Sequence, residues 1–400
     1  MVAAKLVCPA KREGAITSCE NRRTVRIVLL LFPPKFRPTL LLKEACTKIK
    51  AVGDSSTKGE TYMKFGFMED FRNPKQWQRP FPALYKDILD QIVRCEELGY
   101  DNAWLTEHHF TEDGYNPSVL PTAAAVAART SRIRIGTFIL LLPFNNAVRT
   151  AEDSICVDVI SNGRFDLGVG QGYSYMEFDA FCMKREERSA RMHEGVKLIQ
   201  QLWTEEKVTF DGKFNQVKNM TLSPRPVQSP MPMWIGARAE KATRRVAKQG
   251  CHLMATLGPD PAPWYIDELK KNGRNPKDFN IAQLRLVYTA KTEDEAWENV
   301  APHLHSMMEF YGHILAEAND APGDKDVWTF KHHSEIRDSA FGRASMVGTP
   351  DQVARKLEQF QKEFQCTHFI MLTQLPGLDP KKGTAAFEMF AKEVMPAFRK

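Results

Sequence analysis

From residue 63 onward the chain switches repeatedly between two hydrophobic periods. Short runs in which most positions are apolar alternate with longer runs whose apolar residues recur every three or four positions. The first kind reads as strands buried on both faces, the second as amphipathic helices. Residues 63–68 form a first strand, and 82–99, with Leu84, Ile88, Leu89, Ile92 and Val93 on one face and Gly99 as terminator, a first helix. Strand, helix and strand follow at 102–109, 119–131 and 133–142, then a helix at 148–161 and a strand at 164–170. A long helix at 186–203 leads into a hairpin at 208–217 around Asp211-Gly212. The alternation resumes with strands at 233–236, 252–255, 281–289 and 368–373. The helices that go with them lie at 239–249, 262–272, 293–311, 351–364 and 385–395, and a long polar loop at 318–345 precedes the last strand.

Eight strands each leading to a helix predict an α/β fold, a TIM (β/α)8 barrel with an inserted β-hairpin and a long polar loop before the last barrel strand. An open Rossmann-type sheet would favour a glycine fingerprint after the first strand, and Phe65-Gly66-Phe67-Met68-Glu69-Asp70 carries none.

Residues 1–62 break the pattern. They carry 12 Lys/Arg against 5 Asp/Glu, a net +7, which leaves about −1 of the overall +6 for residues 63–400. The barrel therefore offers no basic surface for nucleic acid. The segment reads as a basic N-terminal extension, resembling either a transit peptide or translated upstream sequence, with residues 63–400 as the folded domain. Its apolar run at 27–32 is far short of the roughly 20 residues of a membrane span. Eight cysteines without a CxxC spacing suggest buried thiols in a reducing compartment.

Candidate chemistry gathers at strand ends, where a barrel of this type places it. Glu107-His108-His109 packs a carboxylate and two imidazoles at the end of the second strand. Adjacent strand residues face opposite ways, so one ring at most points inward, which argues against a dinuclear metal site and leaves general acid/base work or structural histidines. No metal is expected. In Gly168-Val169-Gly170-Gln171-Gly172-Tyr173, the glycines either admit a flat ligand or relieve crowding in the barrel. In Gly236-Ala237-Arg238, a strand turns into a helix whose free amides and guanidinium suit a phosphate, with Arg185, Arg188 and Arg191 as further cations upstream.

Together these segments resemble the bacterial luciferase-like flavin monooxygenases. Glu107-His108-His109-Phe110-Thr111-Glu112 is similar to the luciferase alpha subunit almost letter for letter. Further matches are Ile135-Gly136-Thr137, Leu141-Leu142-Pro143, Ala151-Glu152-Asp153, Ser161-Asn162-Gly163-Arg164-Phe165, the glycine run ending at Tyr173, and Ser223-Pro224-Arg225-Pro226-Val227-Gln228. The resemblance implies a two-component monooxygenase that uses reduced FMN (FMNH2), O2 and a small apolar or carbonyl-containing substrate through a flavin peroxide. It also implies a separate NAD(P)H-dependent flavin reductase, a homodimer and a cytoplasmic location, without nucleic acid or membrane. By matching position His108 is the functional histidine, oriented by His109 and Glu107. Thr137 and Phe138 approach the isoalloxazine, and Gly170, Gln171, Gly172 and Tyr173 form its other wall. Gln171 stands where many relatives carry Arg, and Ala237-Arg238-Ala239 where many carry Ser or Thr. Arg238, with Arg188 or Arg191, is therefore expected to supply the charge for the phosphate. A deazaflavin-dependent hydride transfer on the same barrel and a flavin-binding protein without turnover are the alternatives. The polar stretch 324–343 reads as a mobile closing loop or a solvated linker.

Overall fold

The computed structural model describes residues 63–256, 258, 260–320 and 329–399; the N-terminal extension lies outside the described residues. Its strands are β1 (Lys64–Glu69), β2 (Asn102–Leu105), β3 (Arg134–Thr137), β4 (Leu140–Leu141), β5 (Phe165–Gly170), β6 (Val208–Asp211), β7 (Gln216–Met220), β8 (Met233–Gly236), β9 (His252–Ala255), β10 (Ile281–Thr289), β11 (Met346–Gly348) and β12 (His368–Leu372). The α-helices are α1 (Phe81–Glu97), α2 (Val119–Arg129), α3 (Ala147–Ser161), α4 (Tyr175–Ala180), α5 (Arg188–Thr204), α6 (Glu240–Gln249), α7 (Ala262–Lys271), α8 (Glu293–Ala318), α9 (Ala340–Ala344), α10 (Pro350–Glu363) and α11 (Pro380–Met389).

Parallel pairing runs β1-β2-β3-β5-β8-β9-β10-β12 and returns from β12 to β1, so the sheet closes into an eight-stranded barrel. Strand residues alternate between two cores, as the two-residue period requires. Phe65, Phe67, Leu105, Ile135, Leu167 and Leu253 face outward under the helices. Met68, Trp104, Trp234, Met254 and Ile370 fill the lumen, with the Trp104 and Trp234 rings edge to face at 5.4 Å. Trp234 Nε1 donates to Asp166 Oδ1 at 3.1 Å, and Arg134 Nε to Asp166 Oδ2 at 2.7 Å, closing the amino-terminal end of the barrel. His252 and His368, at the starts of β9 and β12, pack on Trp234 at that same end.

The hairpin β6–β7 lies outside the barrel as expected, and several other boundaries shift. The strand expected at 133–142 breaks into β3 and β4 around a cis peptide between Phe138 and Ile139. The helix expected from 186 begins at Arg188, and the short α4 precedes it. Helix α8 runs on to Ala318 through Pro302. The loop expected at 318–345 contains α9 and leads into β11, which pairs with the upper half of β10; its residues 321–328 lie outside the described ones. Cys95 and Cys251 are buried, whereas Cys156 and Cys182 are exposed, contrary to the expectation of buried thiols. Among the described residues no helix is long and apolar enough to cross a membrane.

Candidate active site

The carboxyl ends of the strands open into a cavity of about 1230 Å³. That exceeds the usual 300–1,000 Å³ of a single-ligand pocket and leaves room for a cofactor and a second molecule. Residues Glu107, His108, Phe138, Gly170, Gln171, Gly172, Tyr173, Arg188, Gly236, Ala237 and Arg238 all line it.

His108 sits at the end of β2, 6% exposed, with both ring nitrogens engaged. Its Nδ1 lies 2.9 Å from Glu177 Oε1 and its Nε2 3.0 Å from the Tyr173 hydroxyl. The same Glu177 oxygen accepts the His109 backbone N–H at 2.9 Å, so it acts as an acceptor toward both groups. His108 therefore carries its proton on Nδ1 and offers the Nε2 lone pair to the Tyr173 O–H. Glu177 comes from α4, where the buried Phe178 anchors the helix and turns the neighbouring carboxylate inward. Sequence reading passed over it; the signal was a carboxylate in the aromatic-rich stretch just after Tyr173.

His109 points the other way. Its Nε2 meets Glu107 Oε1 at 2.8 Å, and its ring packs on Phe181 and Phe144 outside the cavity. Burial raises the Glu107 carboxyl above the ordinary glutamate range, against the opposing pull of His109.

Two expected flavin contacts fall elsewhere. Thr137 is fully buried, its Oγ1 donating to Gly168 O at 2.6 Å and accepting the Gly168 N–H at 2.9 Å, so it ties β3 to β5 and does not reach the cavity. Arg191 pairs with Glu187 at 2.9 Å and lies over the Phe214 ring, directed at the hairpin. The glycines are also explained by the barrel itself. A Cβ at Gly168 would lie 2.0 Å from the Thr137 carbonyl oxygen, and one at Gly170 would lie 1.8 Å from Ile139 Cδ1. Gly172 holds a φ of +71°.

Part of the cavity wall is basic. The first turns of α5 and α6 reach it, and neither has a side-chain cap on its leading amides. Around them stand Arg188, Arg238, Lys241 and Arg245, with Arg245 Nη1 donating to Ser189 Oγ at 2.7 Å. Arg188 is also held by Asp320 at 2.6 Å, and Asp320 pairs with Arg185 at 2.9 Å. Burial lowers His193 to about 4, which keeps this neighbour of the arginines neutral. Lys241 and Arg245 were missed because a lysine or arginine on a polar helix reads as a solvated face until its neighbours are known.

A family model described as luciferase-like monooxygenase matches residues 63–364. The chain belongs to that family. Among luciferase-like relatives, it is 28% identical over 335 residues to an F420-dependent glucose-6-phosphate dehydrogenase of Microbacterium testaceum, covering 78% of this chain and 94% of that protein. It is 24% identical over 337 residues to the oxygenase component of a flavin-dependent trigonelline monooxygenase of Acinetobacter baylyi, covering 80% and 92%. The solved structure of the monooxygenase RslO1 from Streptomyces bottropensis superposes with a TM-score of 0.74 at 25% identity, covering 84% of this chain and all of that one. The chain is an oxidoreductase of the luciferase-like family, and the names of these two relatives divide between F420 and flavin.

Proposed function

We propose that this protein is the oxygenase component of a two-component, reduced-FMN-dependent monooxygenase. One atom of O2 enters a small organic substrate and the other leaves as water, with two electrons from the reduced flavin delivered by a separate NAD(P)H-dependent reductase. The observation that carries the reading is the Glu177–His108–Tyr173 hydrogen-bonded chain on the wall of a cavity that also holds a cluster of basic residues.

The residues present suit a planar cofactor with an anionic tail. Phe138, Ile139, Ile235 and Met254 give the cavity apolar walls, and Arg188, Arg238, Lys241 and Arg245 meet the tail beside two helix N-termini. Bound reduced flavin supplies the electrons and the site of oxygen activation. Tyr173 lines the cavity and donates to His108 Nε2, so a proton leaving the reacting centre passes to the Tyr173 oxygen as Tyr173 releases its own to His108. Glu177 steadies the imidazolium through Nδ1. The reverse transfer returns the proton. His109 orients Glu107, and the Glu177 contact to the His109 N–H fixes the backbone between the two histidines.

The F420-dependent relative supports a second reading, hydride transfer to or from the deazaflavin cofactor. Anaerobic titration of the full chain with reduced FMN and with reduced F420, followed by oxygen, separates them. The first reading expects tight reduced-FMN binding and, on mixing with oxygen, a transient absorbance unlike either reduced or oxidised flavin. Tight F420 binding without that transient would favour the second and overturn the first.

A further inference from the structure

The basic cluster and the His108 chain leave one wall of the cavity unexplained. At the carboxyl end of β1, Asp70 is 7% exposed and lines the cavity. Its Oδ1 accepts the Arg72 backbone N–H at 3.0 Å, and among the described residues its other oxygen has no protein partner. The Arg72 guanidinium places Nε 2.7 Å from Asp113 and stacks 4.1 Å over the Phe310 ring, while its charge also acts on Asp70.

Next to Asp70, Tyr311 lines the cavity and meets the Tyr115 hydroxyl at 2.8 Å. Tyr115 donates its own proton to Thr106 Oγ1 at 3.2 Å, which leaves the Tyr311 O–H to donate to Tyr115 and the Tyr311 oxygen as an acceptor. The wall thus presents acceptors, and it adjoins the site of chemistry: the His108 ring lies 4.8 Å from Tyr115 and 6.1 Å from Tyr311.

The charge balance agrees. The phenols of Tyr115 and Tyr311 are held neutral by burial, and burial keeps the neighbouring Glu69 protonated well above the ordinary range. Arg72 is shared between Asp113 and Asp70, so with Asp70 ionised this group of three carries one negative charge in excess in a desolvated wall, which a bound cation offsets.

We infer that the substrate carries a hydrogen-bond donor, best a protonated amine, which Asp70 and Tyr311 receive on the His108 side of the cavity. The inference rests on the oxidoreductase reading of the same cavity and narrows it away from purely apolar or carbonyl substrates, which bring no donor to this wall. Asp70 titrates at about 6, raised chiefly by burial, so amine binding strengthens as pH rises through that range.

The test is calorimetric binding of cyclohexylamine and cyclohexanone to the full chain at pH 5 and pH 7.5. These probes share a ring and differ in bringing a cationic donor or only an acceptor. The expected result is an amine preference of at least about tenfold at pH 7.5 that falls severalfold at pH 5, with Arg72, Asp113, Glu69, Tyr115 and Tyr311 as the charged or titratable groups acting on Asp70. Asp70→Asn should abolish the preference and leave reduced-FMN affinity unchanged, and Tyr311→Phe should weaken amine binding alone. Equal or tighter ketone binding, no binding of the amine, or a preference that survives Asp70→Asn overturns the inference. If Asp70→Asn fails to fold, the pH comparison on the unsubstituted chain decides. Amine selectivity without any oxygen uptake on reduced FMN defeats the monooxygenase reading and leaves this wall standing. Oxygen uptake without amine selectivity does the reverse.

Discussion

Glu177 determines which nitrogen of His108 carries the proton, and so what the histidine can accept. Glu177→Gln keeps the shape but can present its amide to Nδ1, allowing the opposite tautomer and withdrawing support from the imidazolium. Turnover should fall by about 10²-fold with reduced-FMN affinity unchanged. A loss of turnover no larger than the loss of flavin affinity would reduce Glu177 to a packing residue. A second carboxylate on β1 bears on stability. Glu69 is fully buried, among the described residues without a hydrogen-bond partner, and burial raises its pKa. Below the ordinary glutamate range both folded and unfolded states hold the proton and nothing is lost. As pH rises, the unfolded chain ionises first and stability falls, by up to about 1.4 kcal/mol per pH unit. Glu69→Gln should therefore gain on the parent chain as pH rises above the ordinary glutamate range in denaturant melts; a difference independent of pH would contradict this. Much of the site was legible because Glu107-His108-His109 and the glycine run ending at Tyr173 are adjacent in sequence. Glu177, Asp70, Tyr311 and Arg245 were not, because each becomes part of the cavity only through the packing of a distant element.

At the scale of elements, two of the family-like segments turn out to be architectural. In Ser161-Asn162-Gly163-Arg164-Phe165, Asn162 takes a φ of 55° to end α3. Arg164 then donates to the carbonyls of Ala127 at 3.1 Å, Thr130 at 2.9 Å, Ile133 at 2.6 Å and Ser161 at 2.7 Å, closing the end of α2 beside the start of β3. In Ser223-Pro224-Arg225-Pro226-Val227-Gln228, Arg225 does the same for the end of α5 through Leu202, Trp203 and Glu205. Arg164→Ala should cost about 2–4 kcal/mol of stability, since it strands several half-buried carbonyls, and leave flavin affinity intact. A large loss of flavin binding at unchanged stability would return this arginine to the site. The order of strands and helices was readable because strands covered on both faces are almost wholly apolar and the helices are not. What escaped were elements spanning no more than one or two of their own periods, such as β4 and α4, and the continuation of α8 past Pro302, where local breaker rules yield to packing.

Over the whole molecule, the net charge of +6 says little about function, because residues 1–62 carry +7 of it. Within the barrel, charge is organised along the cavity: Arg188, Arg238, Lys241 and Arg245 at the helix N-termini, Asp70 on the β1 wall, and the His108 chain. An anionic cofactor tail and a cationic substrate would be drawn to different groups of the wall, which orients both without a moving part. The decisive measurement is stopped-flow mixing with oxygen of the full chain in excess over reduced FMN, so that nearly all flavin is bound, in parallel with His108→Ala. The expected result is a transient flavin absorbance in the parent chain, distinct from the reduced and oxidised forms, that is lost or shortened at least about tenfold in the variant at equal flavin affinity. Direct oxidation of the flavin in both proteins, with no transient and no difference in rate, would contradict an oxygenase site built on His108.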